Sequence, residues 1–533
     1  MIQEEIKNCE EVCSHTKYGI SFVPTRLIDL MDPQTPRLVV SAAQSPHNDL
    51  DGRGIKYAAL SYCWGSASDT RSMLKTEKSS MKSRTTGIAL SEMPKVFQDT
   101  IALCKKLSIR YLWIDALCIV QDDRRDWEQE GSQIGKVYEN AFVTVVPLAA
   151  HTCNEGFLQR SQETVEIQFQ STDRPDIDGK FYLRHVPQFN IEDKWHFFGL
   201  ESIELSSSTW SKRGWTFQED TLSTRILYFG QTMMFYECEH WERLEFDDRR
   251  HFQSRSTFKT ESWQHHHLVP YETWEAAVSL FSGRKFTHPE DKFPAISALA
   301  EGFAEASKDE YIAGLWRGAL LRELLWHVTP QTEWENFLAD LKTPHRYIAP
   351  SWSWASRNSY MAFGVRQHQL PESTEKFTPE CKINDVNVDL SSGNPFGAVG
   401  NAVLSLSGKL AALPSTLQLM PSTYSSPTWK ISKGSALLGV CELDWITDRE
   451  DSWQAPNVRM VMLLVVSWGK GVRKVPGQAN KCAYGLILVP TDNENEYRRV
   501  GVFYCGKGGE FAKDSPWNNR LFKGLKVQTI YLI

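Results

Sequence analysis

Between Tyr57 and Val146 the chain alternates runs that are apolar at every position with segments that are apolar at every third or fourth, an order few folds accommodate. YAALSY, from Tyr57 to Tyr62, is a short apolar run closed by Gly65 and reads as a strand ending in a loop. Ser91 precedes Pro94, and Val96, Phe97, Ile101, Leu103, Cys104 and Leu107 fall near helical spacing. This predicts an amphipathic helix over 94–107 with the proline in its first turn. Ile109 to Ile119 is too continuously apolar for a half-exposed strand and fits one covered on both faces, running from Tyr111 into Asp115 and a loop. Trp127, Ile134, Val137 and Tyr138 restore the helical interval over 123–140, and Phe142 to Val146 is the next β-branched run. Strands alternating with helices predict an α/β fold, with a parallel sheet flanked by helices on both faces.

The rest of the chain reads differently. At 533 residues it exceeds what one core serves, and a prior of about 150 residues per domain calls for more than one unit. We read 1–50 as a lead-in punctuated by Pro33, Pro36 and Pro46, and 51–250 as the α/β domain. Within that domain, 151–209 is a more polar insertion with strands around Val165 to Phe169 and Phe181 to Leu183. Trp210 to Leu222 reads as a helix, and ILYFGQTMMFYEC as two strands joined at Gly230. After a His-rich link at 249–267 comes a helical segment, 268–345, with Trp274, Val278, Leu280 and Phe281 first and Leu315 to Leu325 last. The region 346–533 is predicted to be β-rich, from VLSLSGKL, MVMLLVVSW, YGLILVP and RVGVFYC. No repeat of fixed period is present.

A net charge of −6 argues against the clustered basic surface that nucleic acid requires, so none is expected as a partner. The start, MIQEEIKNCEEVC, lacks the pattern of a signal peptide, and the longest apolar run, Val461 to Ser467, is far short of the roughly 18 residues of a membrane helix. A cytoplasmic protein without a transmembrane segment is the expectation. Eleven cysteines, an odd number with no CxxC pair, argue against a disulfide framework. Cys9-x3-Cys13-x-His15, Cys238-x-His240 and His265-His266-His267 are the nearest approaches to metal-ligand spacing. None offers four ligands in a recognised pattern, so no metal is expected. Gly506-Lys507-Gly508-Gly509 and Gly469-Lys470-Gly471 fit neither a P-loop nor a dinucleotide fingerprint and read as turns. Nineteen tryptophans predict aromatic-lined cores or clefts.

Three blocks stand out: LSYCWG from Leu60 to Gly65, WIDALCIVQ from Trp113 to Gln121, and RGWTFQE from Arg213 to Glu219. In order and spacing they resemble the heterokaryon-incompatibility (HET) domain family of filamentous fungi, over about a third of the chain. Val120 departs from the family pattern, where asparagine is frequent. FSGRKFTHPEDKFPAISAL, AGLWRGALLRELLWHV and APSWSWAS are similar to segments of long fungal HET proteins. The resemblance implies a role in non-self recognition and regulated cell death after hyphal fusion, with a protein partner or self-association.

In a doubly wound sheet, ligands bind in the crevice at the carboxyl ends of the strands. Ser61, Tyr62, Trp64 and Gly65 follow the first strand, and Asp115, Cys118 and Gln121 end or follow the second, so they are candidates for one binding cleft. Trp215 and Glu219 are four apart and share a helix face, with Arg213 before the first turn and Gln218 beside them. A Trp-x-x-x-Glu helix is similar to that of Toll/interleukin-1-receptor (TIR) domains, where the glutamate of NAD-cleaving members is catalytic. That resemblance implies a TIR-like fold and NAD as a substrate rather than a bound cofactor. Glu219 would stabilise an oxocarbenium-like transition state with Asp115 in support, Trp64 or Trp215 would stack a ring, and Arg213 would face the diphosphate. Each residue also has a structural reading. Trp215 packs in a core, Glu219 pairs with Arg213 or Arg225, Asp115 caps a turn, and Cys118 is a buried thiol. Ser61 has no His-Asp partner recognisable in the sequence, so a hydrolase triad is unsupported.

Overall fold

The computed structural model describes residues 1–13, 22–41, 55–160, 164–184, 200–245, 249–251, 270–342, 346–363, 377–391, 393–419, 428–433, 436–446, 452–454, 459–469, 481–505 and 521–533. His15, His265 to His267, Lys470 with Gly471, and Gly506 to Gly509 lie outside the described residues, as does most of the link at 249–267. The chain divides into two compact units, Met1–Ser256 and Thr257–Ile533.

The first unit opens with α1 (Ile2–Val12), β1 (Arg26–Asp29), β2 (Arg37–Val40) and β3 (Tyr57–Leu60). There follow α2 (Ala67–Ser72), α3 (Met81–Thr86), α4 (Lys95–Lys106), β4 (Tyr111–Trp113), α5 (Asp115–Cys118), α6 (Arg124–Gly131), α7 (Ile134–Glu139) and β5 (Val143–Val146). The polar insertion folds as a separate hairpin of β6 (Thr164–Gln170) and β7 (Asp178–Arg184). The unit is completed by α8 (Leu200–Ser207), α9 (Thr216–Leu222), β8 (Arg225–Phe229), β9 (Met234–Cys238), β10 (Glu242–Leu244) and β11 (Arg250–His251).

Nine of these strands form one sheet in the order β11-β10-β9-β8-β5-β3-β4-β1-β2. It is mixed, not wholly parallel as the alternation predicts. Only β4, β3, β5 and β8 run parallel to one another, and β1–β2 on one side and β9–β11 on the other pair antiparallel. The cause is connection length: the few residues between β8 and β9, and between β9 and β10, make hairpins and are too short for a crossover. Residues 1–50, read as a lead-in, supply α1 and two strands of this sheet.

Every residue of β3, β5 and β8 is buried, as expected for strands covered on both faces. Helix α4 turns Val96, Phe97, Ile101, Leu103 and Cys104 inward, each large apolar side chain contributing roughly 1.5–3 kcal/mol. Lys105 and Lys106 in its last turn complement the helix dipole. Asp99, on the same helix, accepts hydrogen bonds from the N–H groups of Phe157 (2.9 Å) and Leu158 (3.2 Å), tying α4 to the loop after β5.

Three local expectations differ from the structure. The strand expected to run from Tyr111 into Asp115 and a loop stops at Trp113. The Asp115 carboxylate bonds the N–H of Ala116 (2.6 Å), and the Thr76 hydroxyl donates to the Leu117 carbonyl (2.7 Å), which winds 115–118 into one helical turn. The helix expected over 123–140 breaks into α6 and α7. The helix expected from Trp210 begins as a single tight turn, Trp210–Lys212, and resumes only at Thr216, because Arg213 is extended.

In the second unit, helices Pro270–Ser282 and Ser297–Ser307 pack around Trp274, Phe303 and Trp316. The Leu315 to Leu325 stretch is less helical than expected, holding a short strand, Leu315–Trp316, before a one-turn helix, Leu320–Glu323. The β-rich portion forms an eleven-stranded sheet, and the four apolar runs fall in strands Val399–Ala412, Val461–Gly469, Lys481–Pro490 and Glu496–Cys505. The tryptophans of the SWSW segment connect it: Trp352 Nε1 donates to the Leu532 carbonyl (3.1 Å) and Trp354 Nε1 to that of Gly314 (2.8 Å). Among the described residues no helix is long and apolar enough to cross a membrane.

Candidate functional site

The parallel strands stand in the order β4-β3-β5-β8, so the strand that follows β3 in sequence lies on one side of it and the next lies on the other. Such a reversal opens a crevice at the carboxyl ends of the two strands that flank it, here β3 and β5. Ser61 emerges there, its N–H bonded to the Val145 carbonyl of β5 (3.0 Å). Its hydroxyl accepts from Trp210 Nε1 (2.7 Å) and donates to the Glu219 carboxyl, which α9 brings in from 158 residues along the chain. Glu219 thereby meets the end of β3, not Arg225, which bonds Cys9 and the Phe142 carbonyl instead.

Asp115 closes the other side. Its carboxylate accepts from Trp64 Nε1 (2.8 Å) as well as from Ala116, with the Tyr62 hydroxyl in hydrogen-bond reach. Arg213 donates to the Tyr62 carbonyl (2.5 Å), and its charge acts on both Asp115 and Glu219. Two acids therefore face one guanidinium. Burial pushes the Glu219 carboxyl up to about 7, overriding the Ser61 hydrogen bond and the Arg213 charge, with Asp115 adding to the rise. Burial likewise raises Asp115, against the hydrogen bonds from Trp64, Ala116 and Tyr62. Burial opposes the charge of Arg213, but Cys63, Glu219 and Asp115 around it raise its pKa overall, so it stays a cation.

Other candidates have structural duties. Gly65 has φ +99°, and a Cβ there would lie 2.7 Å from an Asp69 carboxylate oxygen and 2.9 Å from the Thr152 side chain, so only glycine turns the chain after Trp64. The Gln121 amide donates to the carbonyls of Asp115 (3.0 Å) and Ile119 (3.2 Å), clamping the α5 turn. Cys118 is buried in the hydrophobic core, and burial pushes its thiol up to about 12, so it is inert. Trp215 packs edge-on against Trp127 (6.1 Å between ring centres) at the margin of that core. Gln218 is buried, and among the described residues its Oε1 has no hydrogen-bond partner.

Residues 57–219 match the family model described as Heterokaryon incompatibility protein (HET). In this stretch the chain is similar to the HET domain. The match begins at the first residue of β3 and ends on Glu219, so it encloses the whole polar cluster. Comparison with curated proteins and with solved structures returned no match.

Two members of the polar cluster escaped the sequence reading. Trp210, which donates to Ser61, stands only three residues before the RGWTFQE block and looked like the start of a helix. Tyr138, whose hydroxyl donates to the Leu60 carbonyl (3.1 Å) and reaches the Glu219 carboxyl, sits at a core-like helical interval. A buried tyrosine beside an apolar stripe is the only signal the sequence carries for it.

Chemically, a carboxyl poised near neutrality can exchange a proton or stabilise a developing cation. The Ser61 hydroxyl gives its hydrogen to Glu219 and has no histidine beside it among its bonded partners, so the group is not arranged as a serine nucleophile.

Proposed function

We propose that this chain is a heterokaryon-incompatibility effector of a filamentous fungus that triggers regulated cell death, and that its TIR-like HET domain does so by hydrolysing NAD. The observation that carries the reading is Glu219, held near neutral pKa at the sheet's switch point and grouped with Ser61, Tyr138, Asp115 and Arg213. In the proposed reaction the bond between C1′ of the ribose and the nicotinamide nitrogen breaks. Its electron pair passes to the cationic ring nitrogen, so nicotinamide leaves neutral and needs no proton. Water adds to C1′ and gives up one proton. Ionised Glu219 stabilises the positive charge on the ribose and accepts that proton, and Asp115 fixes Trp64 as a stacking surface. Arg213, turned inward between the two acids, balances their charge rather than facing a diphosphate.

One observation favours a second reading, a non-enzymatic signalling module that works through self-association or a protein partner. The polar groups at the centre of the cluster are bonded to one another, as a structural network would be. Following NAD and nicotinamide in a heterologous host that expresses the full chain or its Glu219→Gln variant separates the two. NAD loss is expected for the wild type, at a rate cut by about a hundredfold or more in the variant. Because ionised Glu219 acts, the rate of the purified protein should climb as pH passes through about 7. Toxicity that persists in both proteins with NAD unchanged would sink the enzymatic reading and leave the signalling one.

A further inference from the structure

Cys9 and Cys13 lie at the end of α1, one in its last turn and one at its C-cap, and Cys238 ends β9. Although Cys13 and Cys238 stand 225 positions apart in the chain, the three buried sulfurs all lie within 4.8 Å of one another. A tetrahedral ion with metal–sulfur bonds of about 2.3 Å requires sulfurs about 3.8 Å apart, a small contraction from that spacing. The expectation of no metal rested on spacing along the sequence, and folding joins what the sequence keeps apart.

We propose that Cys9, Cys13 and Cys238 bind one thiophilic metal ion, zinc in the first instance, as three thiolates with solvent in the fourth position, fastening α1 to the β9–β10 hairpin.

A second observation points to an anionic centre here. Arg225 is 2% exposed, its Nε donates to Cys9 Sγ (3.1 Å) and its Nη1 to the Phe142 carbonyl (3.3 Å). Among the described residues no carboxylate is in salt-bridge distance of it. The Glu10 charge acts on Arg225 as the weakest of the influences that raise its pKa, and three neutral thiols beside this buried cation would add no counter-charge, which is costly. Three thiolates around a divalent ion carry one net negative charge and balance it. The backbone N–H groups of His240 and Trp241 also point to the Cys238 sulfur, an outer-shell arrangement that stabilises a metal-bound thiolate. Soft thiolate ligands select zinc or monovalent copper over magnesium or calcium.

The test is metal analysis of the full, untagged chain purified under reducing conditions without chelator. About one zinc per chain is expected after exhaustive dialysis. Replacing it by Co2+ should give the intense visible bands of tetrahedral cobalt and a sulfur-to-cobalt charge-transfer band. Cys13→Ser and Cys238→Ser should lose most of the bound metal, while Cys104→Ala, whose thiol is buried elsewhere, should keep it. Wild-type protein that holds no metal and shows no charge-transfer band with Co2+ overturns the proposal, whether or not the variants fold. Intact mass under non-reducing conditions that reveals a disulfide among the three cysteines overturns it as well.

Discussion

Glu219 is a carboxyl that folding makes more basic, and the direction of that change has a measurable result. Its pKa rises from 4.5 to about 7, so the folded chain holds this proton more tightly than the unfolded one. The stability gained is complete below about 4.5 and is lost as pH rises through about 7. Glutamine cannot ionise, so Glu219→Gln should gain stability relative to wild type as pH rises across that window. Urea midpoints of both proteins, taken well below and well above neutrality, check it. A constant difference across pH would show that folding leaves the Glu219 carboxyl unshifted. Comparing the two proteins cancels the contributions of other buried acids, such as Glu275 and Glu323, which shift in the same direction.

At the scale of elements, the site depends on how β3 and β4 end. Both strands are short, β3 wholly buried and β4 buried at Leu112 and Trp113, and each gives way to a turn that aims a polar group: Gly65 after Trp64, and the α5 turn at Asp115. Gly65→Ala forces a β-carbon into the left-handed region and against Asp69 and Thr152. We expect a loss of about 1–3 kcal/mol. Trp64 should move with the turn, weakening its bond to Asp115 and changing the tryptophan fluorescence of the folded protein. Unchanged stability and emission would mean that the loop has room to relax. The three-block spacing made this arrangement legible in part. Ser61, Trp64 and Asp115 are candidates for one cleft because they stand at strand ends, and Glu219 is one because its Trp-x-x-x-Glu helix resembles that of TIR domains. Trp210 and Tyr138 were not, because their role depends on where a helix lands rather than on any local pattern.

At the scale of the whole first unit, the unit's beginning is held by its last strands. Glu5 on α1, 3% exposed, accepts from Trp241 Nε1 (3.1 Å) and Arg250 Nε (2.7 Å), with Arg243 at 3.8 Å. Glu5→Ala leaves these donors facing an apolar gap and should cost about 3 kcal/mol. The melting transition of the first unit should fall accordingly, while that of the second unit stays in place. A shift of both transitions would mean that the two units unfold as one. The proposed metal site lies one to two turns further along the same helix, so removing the metal and removing Glu5 should loosen the same contact.

The sequence by itself determined the alternation of buried strands and amphipathic helices, the β-rich later half, and the three blocks by which residues 57–219 match the HET family. Those features are local, written in apolar periodicity and short motifs. Only the tertiary structure decided that the sheet is mixed, that residues 1–50 contribute strands to it, and that three cysteines from the two ends of the first unit meet. Strand pairing and side-chain convergence are set by which distant surfaces bury one another, and that information is spread over the whole chain. The same holds for Glu219: the motif supplied the residue, and burial beside Asp115 supplied its pKa.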